Sequence, residues 1–151
     1  MRHLEHDHAV ALMRWWAYTA DTVFGVDGRL LAAIPNGGHR HIGAARKLKD
    51  EGVRPGVPDY CLFVARNGYH GLLIELKEPK KGRISESQDE MIRLLSHEGY
   101  LCVVAKGWDE ARVAVEDYLG RANKDPKPLF GKLYPVNIDD GPMEDLAAAR
   151  Q

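Results

Sequence analysis

The sequence predicts an α/β domain, a mixed central sheet flanked by helices in the order α-β-α-β-β-α-β-α. Three observations carry this. Segments with apolar residues at three- and four-residue spacing alternate with short apolar runs closed off by Gly, Pro and Asn. Two of those runs flank Asn67-Gly68, the signature of a hairpin. The chain has 151 residues, 44% hydrophobic and 28% charged, enough for one domain core and too few for two.

The first helix is expected over residues 4–20, with Ala9, Leu12, Met13, Trp16 and Ala20 along one stripe. A short strand over 30–34 stops at Pro35-Asn36-Gly37-Gly38, and a second helix follows from Ile42 to Glu51. Pro55-Gly56-Val57-Pro58 leads into a strand over 59–65, and residues 71–77 return as its hairpin partner. Ser85 or Ser87 caps the next helix, which carries Met91, Ile92 and Leu95 on one face and ends at Gly99. Residues 100–105 form a buried strand, and the last helix spans 109–119 with Ala111, Ala114, Val115 and Tyr118 inward.

Residues 1–120 are thus expected as the domain. Residues 121–151, interrupted by Pro126, Pro128, Pro135 and Pro142, are expected as an extension. It is either disordered or an arm packing on another subunit through Leu129, Phe130, Leu133 and Tyr134.

Composition narrows the function classes. No apolar run reaches the roughly 18 residues of a membrane span. The opening residues, rich in acids and histidines, do not look like an export signal, so a cytoplasmic protein is expected. Cys61 and Cys102 lie in apolar runs and read as buried thiols. A net charge of −1 excludes broad electrostatic coating of DNA. Charge is nonetheless clustered. Lys77, Lys80, Lys81 and Arg83 stand against Glu78 alone, which suits phosphate contacts. Asn36-Gly37-Gly38-His39-Arg40 can offer backbone N–H groups and a guanidinium to a phosphate, with Arg40 the strongest candidate and His39 beside it.

The chemistry concentrates on the hairpin. Hydrolysing a phosphodiester requires charge stabilisation at phosphorus and hydroxide near neutral pH. A hard divalent cation, Mg²⁺ or Mn²⁺, provides both and prefers carboxylate and carbonyl oxygens. Glu75 and Lys77 are two apart on one strand and share a face. Leu76 packs to the other side and leaves its carbonyl as a ligand beside Asp59. Acids and a lysine inside apolar strands carry a desolvation cost that points to function. Register attaches a condition. A plain two-residue loop at Asn67-Gly68 pairs Asp59 with Leu76 on the wrong face, so an odd loop or a bulge is expected, pairing Asp59 with Lys77.

The runs Ala33-Ile-Pro-Asn-Gly-Gly-His-Arg40, Gly52-Val-Arg-Pro-Gly-Val-Pro-Asp59, Gly71-Leu-Leu-Ile-Glu-Leu-Lys77 and Ser85-Glu-Ser-Gln88 resemble the virus-type replication-repair nucleases (VRR-Nuc) of the PD-(D/E)xK superfamily. The resemblance covers roughly residues 4–119. It implies a restriction-endonuclease-like fold and metal-dependent cleavage of DNA. For small stand-alone members it also implies homodimers acting on branched DNA such as four-way junctions, with flaps a related substrate. Carried over, Asp59 and Glu75 look like metal ligands and Lys77 like the catalytic lysine. Glu5 matches the acid of the first helix that assists metal or water binding, and Gln88 the glutamine after the serine motif.

Two of these have support in the residues themselves. Glu5 crowns the apolar stripe of its helix and is expected to point inward. Gln88 lies on the stripe of Met91, Ile92 and Leu95, although Ser85-x-x-Gln88 is also a capping box. The rival expectations are a restriction-type nuclease on linear duplex, an RNA-directed nuclease with the same metal site, and a DNA-binding module on the same scaffold without catalysis.

Overall fold

The computed structural model describes residues 3–35, 42–120 and 132–134. Along the chain come α1 (His3–Phe24), β1 (Leu31–Ala33), α2 (Ile42–Asp50), β2 (Tyr60–Leu62), β3 (Leu72–Lys77), α3 (Glu86–His97), β4 (Leu101–Lys106), α4 (Trp108–Gly120) and β5 (Lys132–Tyr134). A single 3-10 turn, Gly28–Leu30, joins α1 to β1. The strands form one sheet in the order β1-β2-β3-β4-β5. All neighbours are antiparallel except β3 and β4, which run parallel with α3 as the crossover. The mixed α/β sheet of the sequence argument is therefore present. β5 is an addition to it, inside the segment expected to be an extension.

The central strand β3 explains the layering. Leu72, Ile74 and Leu76 face α1 and α4 and join Leu12, Trp16, Val103, Ala111, Val115 and Tyr118 in the main core. Leu73 faces the opposite way, with Cys61, Cys102 and Ile92 of α3. A strand buried on both faces is apolar throughout, and Glu75 is the exception on the α3 face. The α1 stripe is buried at Leu12, Trp16 and Ala20, each large side chain contributing roughly 1.5–3 kcal/mol. Both cysteines are free and buried, and burial pushes each thiol up to about 11.

The hairpin corrects the expected register while meeting its condition. Asn67 and Gly68 form a two-residue turn with left-handed φ values of 53° and 83°, bracketed by the bridge Arg66↔Tyr69. Below it the ladder pairs Leu62↔Leu72 and Tyr60↔Ile74. Residues 63–65 on the outgoing side therefore oppose only 70 and 71 on the return. The extra residue lies in the strand, not the turn. Continued by one, this register sets Asp59 opposite Glu75 rather than opposite Lys77, and on the same face. Tyr118 pins the offset: its hydroxyl donates to Val64 O at 2.6 Å and accepts from Arg66 N at 3.1 Å. β2 is shorter than expected because this offset ends its ladder at Leu62.

Candidate active site

Glu75 is only 1% exposed, near the end of β3. Its Oε1 receives the Lys77 ammonium at 2.8 Å and the side-chain amide of Gln88. Its Oε2 is also buried and has no hydrogen-bond partner among the described residues. Leaving a carboxylate oxygen in this state is costly unless a cation or proton satisfies it. The titration follows the same logic. Burial first, and then the charge of Asp59, push the Glu75 carboxyl up from 4.5 to about 7, while Lys77 pulls it back.

Asp59 arrives from a tightly held loop. Gly56 has φ +83°, and a Cβ there would collide with the Ser87 carbonyl at the start of α3. Pro58 is among the most deeply buried side chains. The Asp59 carbonyl accepts from Ile34 N at 2.7 Å, extending the β1–β2 contact, and its Oδ2 accepts from Leu76 N at 2.9 Å. In a strand the N–H and C=O of one residue point to the same edge. The Leu76 carbonyl therefore points toward Asp59, whereas the Lys77 carbonyl turns the other way and accepts from Gly107 N at 2.9 Å. A cavity of about 300 Å³ opens at this end of the sheet, lined by Asp59, Leu76, Tyr60, Ile34, Glu5 and His6 among others.

Asp59, Glu75, Lys77 and Gln88 thus come together as the sequence suggested. Gln88 makes two contacts at once: its Oε1 accepts from Ser85 N at 2.9 Å in the capping box while its amide donates to Glu75. Glu5 departs from expectation. It is exposed rather than inward, because the buried stripe of α1 begins at Leu12, about two turns later. It nevertheless lines the cavity, and its charge adds to the upward push on Glu75. Lys80, Lys81 and Arg83 lie exposed in the loop after β3. Arg40 and His39 fall outside the described residues, as do Leu129 and Phe130 of the tail.

Two features had a role that the sequence did not reveal. Gly56 was only part of a turn signal until its approach to Ser87 showed what it permits. Lys106 is the register neighbour of Lys77 in the parallel pairing, a relation that no local spacing encodes.

Among the described residues, no three His, Cys, Asp or Glu side chains converge as a metal cage. The donors on hand are two carboxylates, Asp59 and Glu75, and a main-chain carbonyl. This is a sparse oxygen set of the kind that suits a hard cation retaining much of its water, and it does not suit zinc. No described helix is long and apolar enough to cross a membrane.

Residues 5–109 match the VRR-NUC domain family, a span that includes Glu5, Asp59, Glu75, Lys77 and Gln88. A solved structure of a VRR_NUC domain protein is similar at 28% identity and a TM-score of 0.67, covering 84% of this chain and 97% of that one. No curated protein matches the chain. Nuclease domains of this type generally use divalent metals. The chain belongs to the VRR-NUC domain family, and the function this implies is DNA processing by a nuclease-family domain.

Proposed function

We propose that this protein is a metal-dependent, structure-selective DNA endonuclease of the type that resolves four-way junctions. The observation that carries the proposal is the buried Oε2 of Glu75, without a hydrogen-bond partner among the described residues, close to an Asp59 carboxylate that is itself held by Leu76. Glu75, Asp59 and the Leu76 carbonyl would hold Mg²⁺ or Mn²⁺, with Glu5 across the cavity supporting a second ion or a water. When bound, the cation supplies a Lewis acid for the phosphodiester and a source of hydroxide near neutral pH.

The chain's own residues prepare the rest. The Leu76 N–H fixes the Asp59 carboxylate, and Gln88 fixes that of Glu75. Lys77 holds its ammonium against Glu75, where it can offset charge gathering on the phosphate oxygens or take a proton from the attacking water. Lys80, Lys81 and Arg83 contact the DNA backbone, assisted by Arg40 and His39. Cations placed on the phosphate backbone carry no sequence information themselves, which favours recognition of DNA shape over sequence. Residues 1–120 are the nuclease domain in this proposal, and 121–151 an extension contributing to a homodimer.

The test is cleavage of labelled linear, flapped and four-way DNA in Mg²⁺ or Mn²⁺, with Lys77→Ala as control. Metal-dependent cutting that favours the four-way form is expected, reduced by at least roughly 100-fold in Lys77→Ala. Equal cutting by the variant defeats the mechanism. No cutting of any DNA by the parent leaves a binding module, and sequence-defined cuts in linear duplex indicate a restriction-type enzyme. Light scattering tests the homodimer, and a monomer at micromolar concentration overturns it.

A further inference from the structure

We infer that Lys106 binds a backbone phosphate of the DNA, so that the bound strand runs from the loop of Lys80, Lys81 and Arg83 across Lys77 and onto the end of β4. The inference rests on the nuclease proposal and adds to it the direction in which the substrate leaves the site.

Lys77 and Lys106 each occupy the last position of their strand and are direct partners in the parallel β3–β4 register. Parallel partners project to the same face, and adjacent strands are about 4.8 Å apart, so the two stems rise side by side. Like charges placed this way are destabilising unless something offsets them. Lys77 has its offset in Glu75, at 2.8 Å, and is only 13% exposed. Lys106 has none. It is exposed, and among the described residues no carboxylate pairs with its ammonium. Glu110, four residues on, accepts from the Lys106 backbone N–H at 2.8 Å, which fixes the strand end without engaging the ammonium.

The surroundings make this one surface rather than an isolated cation. A Cβ at Gly82 would lie 2.6 Å from the Lys77 Cβ, and one at Gly107 would lie 3.1 Å from Pro79 Cγ. The basic loop therefore folds back against Lys77, and its first residues touch the turn that follows Lys106. A polyanion entering over Lys80, Lys81 and Arg83 meets Lys77 and then Lys106, and a phosphate there supplies a counter-charge that no described residue provides.

The experiment is fluorescence anisotropy of the full chain with a labelled four-way junction in Ca²⁺, from 50 to 200 mM KCl, alongside cleavage in Mg²⁺. Losing one phosphate contact weakens binding about 8-fold near 0.1 M salt and makes the log–log salt slope shallower by about 0.9. Lys106→Gln is expected to show both changes, and Lys106→Arg to restore binding. Arg66→Gln, an exposed charge at the hairpin turn and so at the other end of β3 from Lys77, is expected to bind like the parent. A parent that cuts DNA while Lys106→Gln keeps its affinity and slope overturns this inference alone. A parent that neither binds nor cuts DNA overturns it together with the nuclease proposal.

Discussion

Glu75 and Lys77 form their ion pair through one carboxylate oxygen, Oε1 at 2.8 Å, and leave Oε2 buried without a partner among the described residues. This asymmetry separates a site from a structural salt bridge. A buried pair serving stability alone satisfies the remaining lone pairs, because desolvation otherwise exceeds the Coulomb gain. Here Gln88 adds its amide to the same oxygen that Lys77 already holds, so both donors turn the carboxylate and neither covers Oε2. The Leu76 N–H does the equivalent for Asp59. In the proposed site the two acids are thus aimed before any cation or substrate arrives.

The first prediction concerns pH. Folding raises the Glu75 carboxyl from 4.5 to about 7, so between those values the folded chain keeps a proton that the unfolded chain has released. Stability contributed by this group therefore falls as pH rises from about 4.5 to about 7, by about 3 kcal/mol, and stays at the lower level above that. Urea midpoints of metal-free protein at pH 5 and pH 7.5 measure the difference. Glu75→Gln is expected to flatten much of this dependence, and Mg²⁺ to raise the midpoint of the parent at pH 7.5 more than that of the variant. An unchanged pH slope in Glu75→Gln would show that the cost lies elsewhere.

How far the sequence reached can be followed through single elements. The stripe of α1, the inward residues of α4 and the Ser85–Gln88 capping box all depend on local spacing, and each stands where expected. Asp59 and Glu75 share a face because the offset in the hairpin has the required parity, which the sequence demanded without locating. It gave no sign that residues 63–65 would take up the extra position, since that choice is enforced by Tyr118, more than fifty residues away. β5 was illegible for the same reason. Its pairing with β4 is non-local, and the prolines around it suppress the usual strand pattern. The exposure of Glu5 depends on where α1 first meets the sheet, and periodicity alone does not fix that.

The loop before Asp59 yields the second prediction. Gly56→Ala demands both a left-handed backbone with a Cβ and room already filled by the Ser87 carbonyl. Gly68→Ala imposes a similar φ of +83° with nothing within 4 Å. The Gly68 variant is expected to lose roughly 1 kcal/mol from backbone strain alone. The Gly56 variant is expected to lose about 2–4 kcal/mol and to shift the loop that carries Asp59, lowering DNA cleavage beyond what the stability loss explains. Denaturation midpoints of the two variants beside their cleavage rates at low temperature make the comparison. Equal losses in both would mean that the loop relaxes away from α3 without cost.

The third prediction tests the register itself. The Tyr118 hydroxyl both donates to Val64 O and accepts from Arg66 N, bridging the two sides of the strand offset, and it is buried. Tyr118→Phe removes one oxygen and leaves a strand carbonyl and an N–H without that partner, a cost of about 1–3 kcal/mol. The buried phenol also titrates high, pushed up to about 12 mainly by desolvation, so the hydroxyl remains a donor throughout the neutral range. The effect of the variant is therefore expected to be independent of pH between 6 and 9. Because a one-residue slip would turn Asp59 away from Glu75, loosening this clamp should accelerate amide hydrogen exchange at residues 60–66 and reduce cleavage, while exchange in α3 stays slow. Exchange that rises equally in α3 would mean that Tyr118 supports the whole core and has no particular hold on the hairpin.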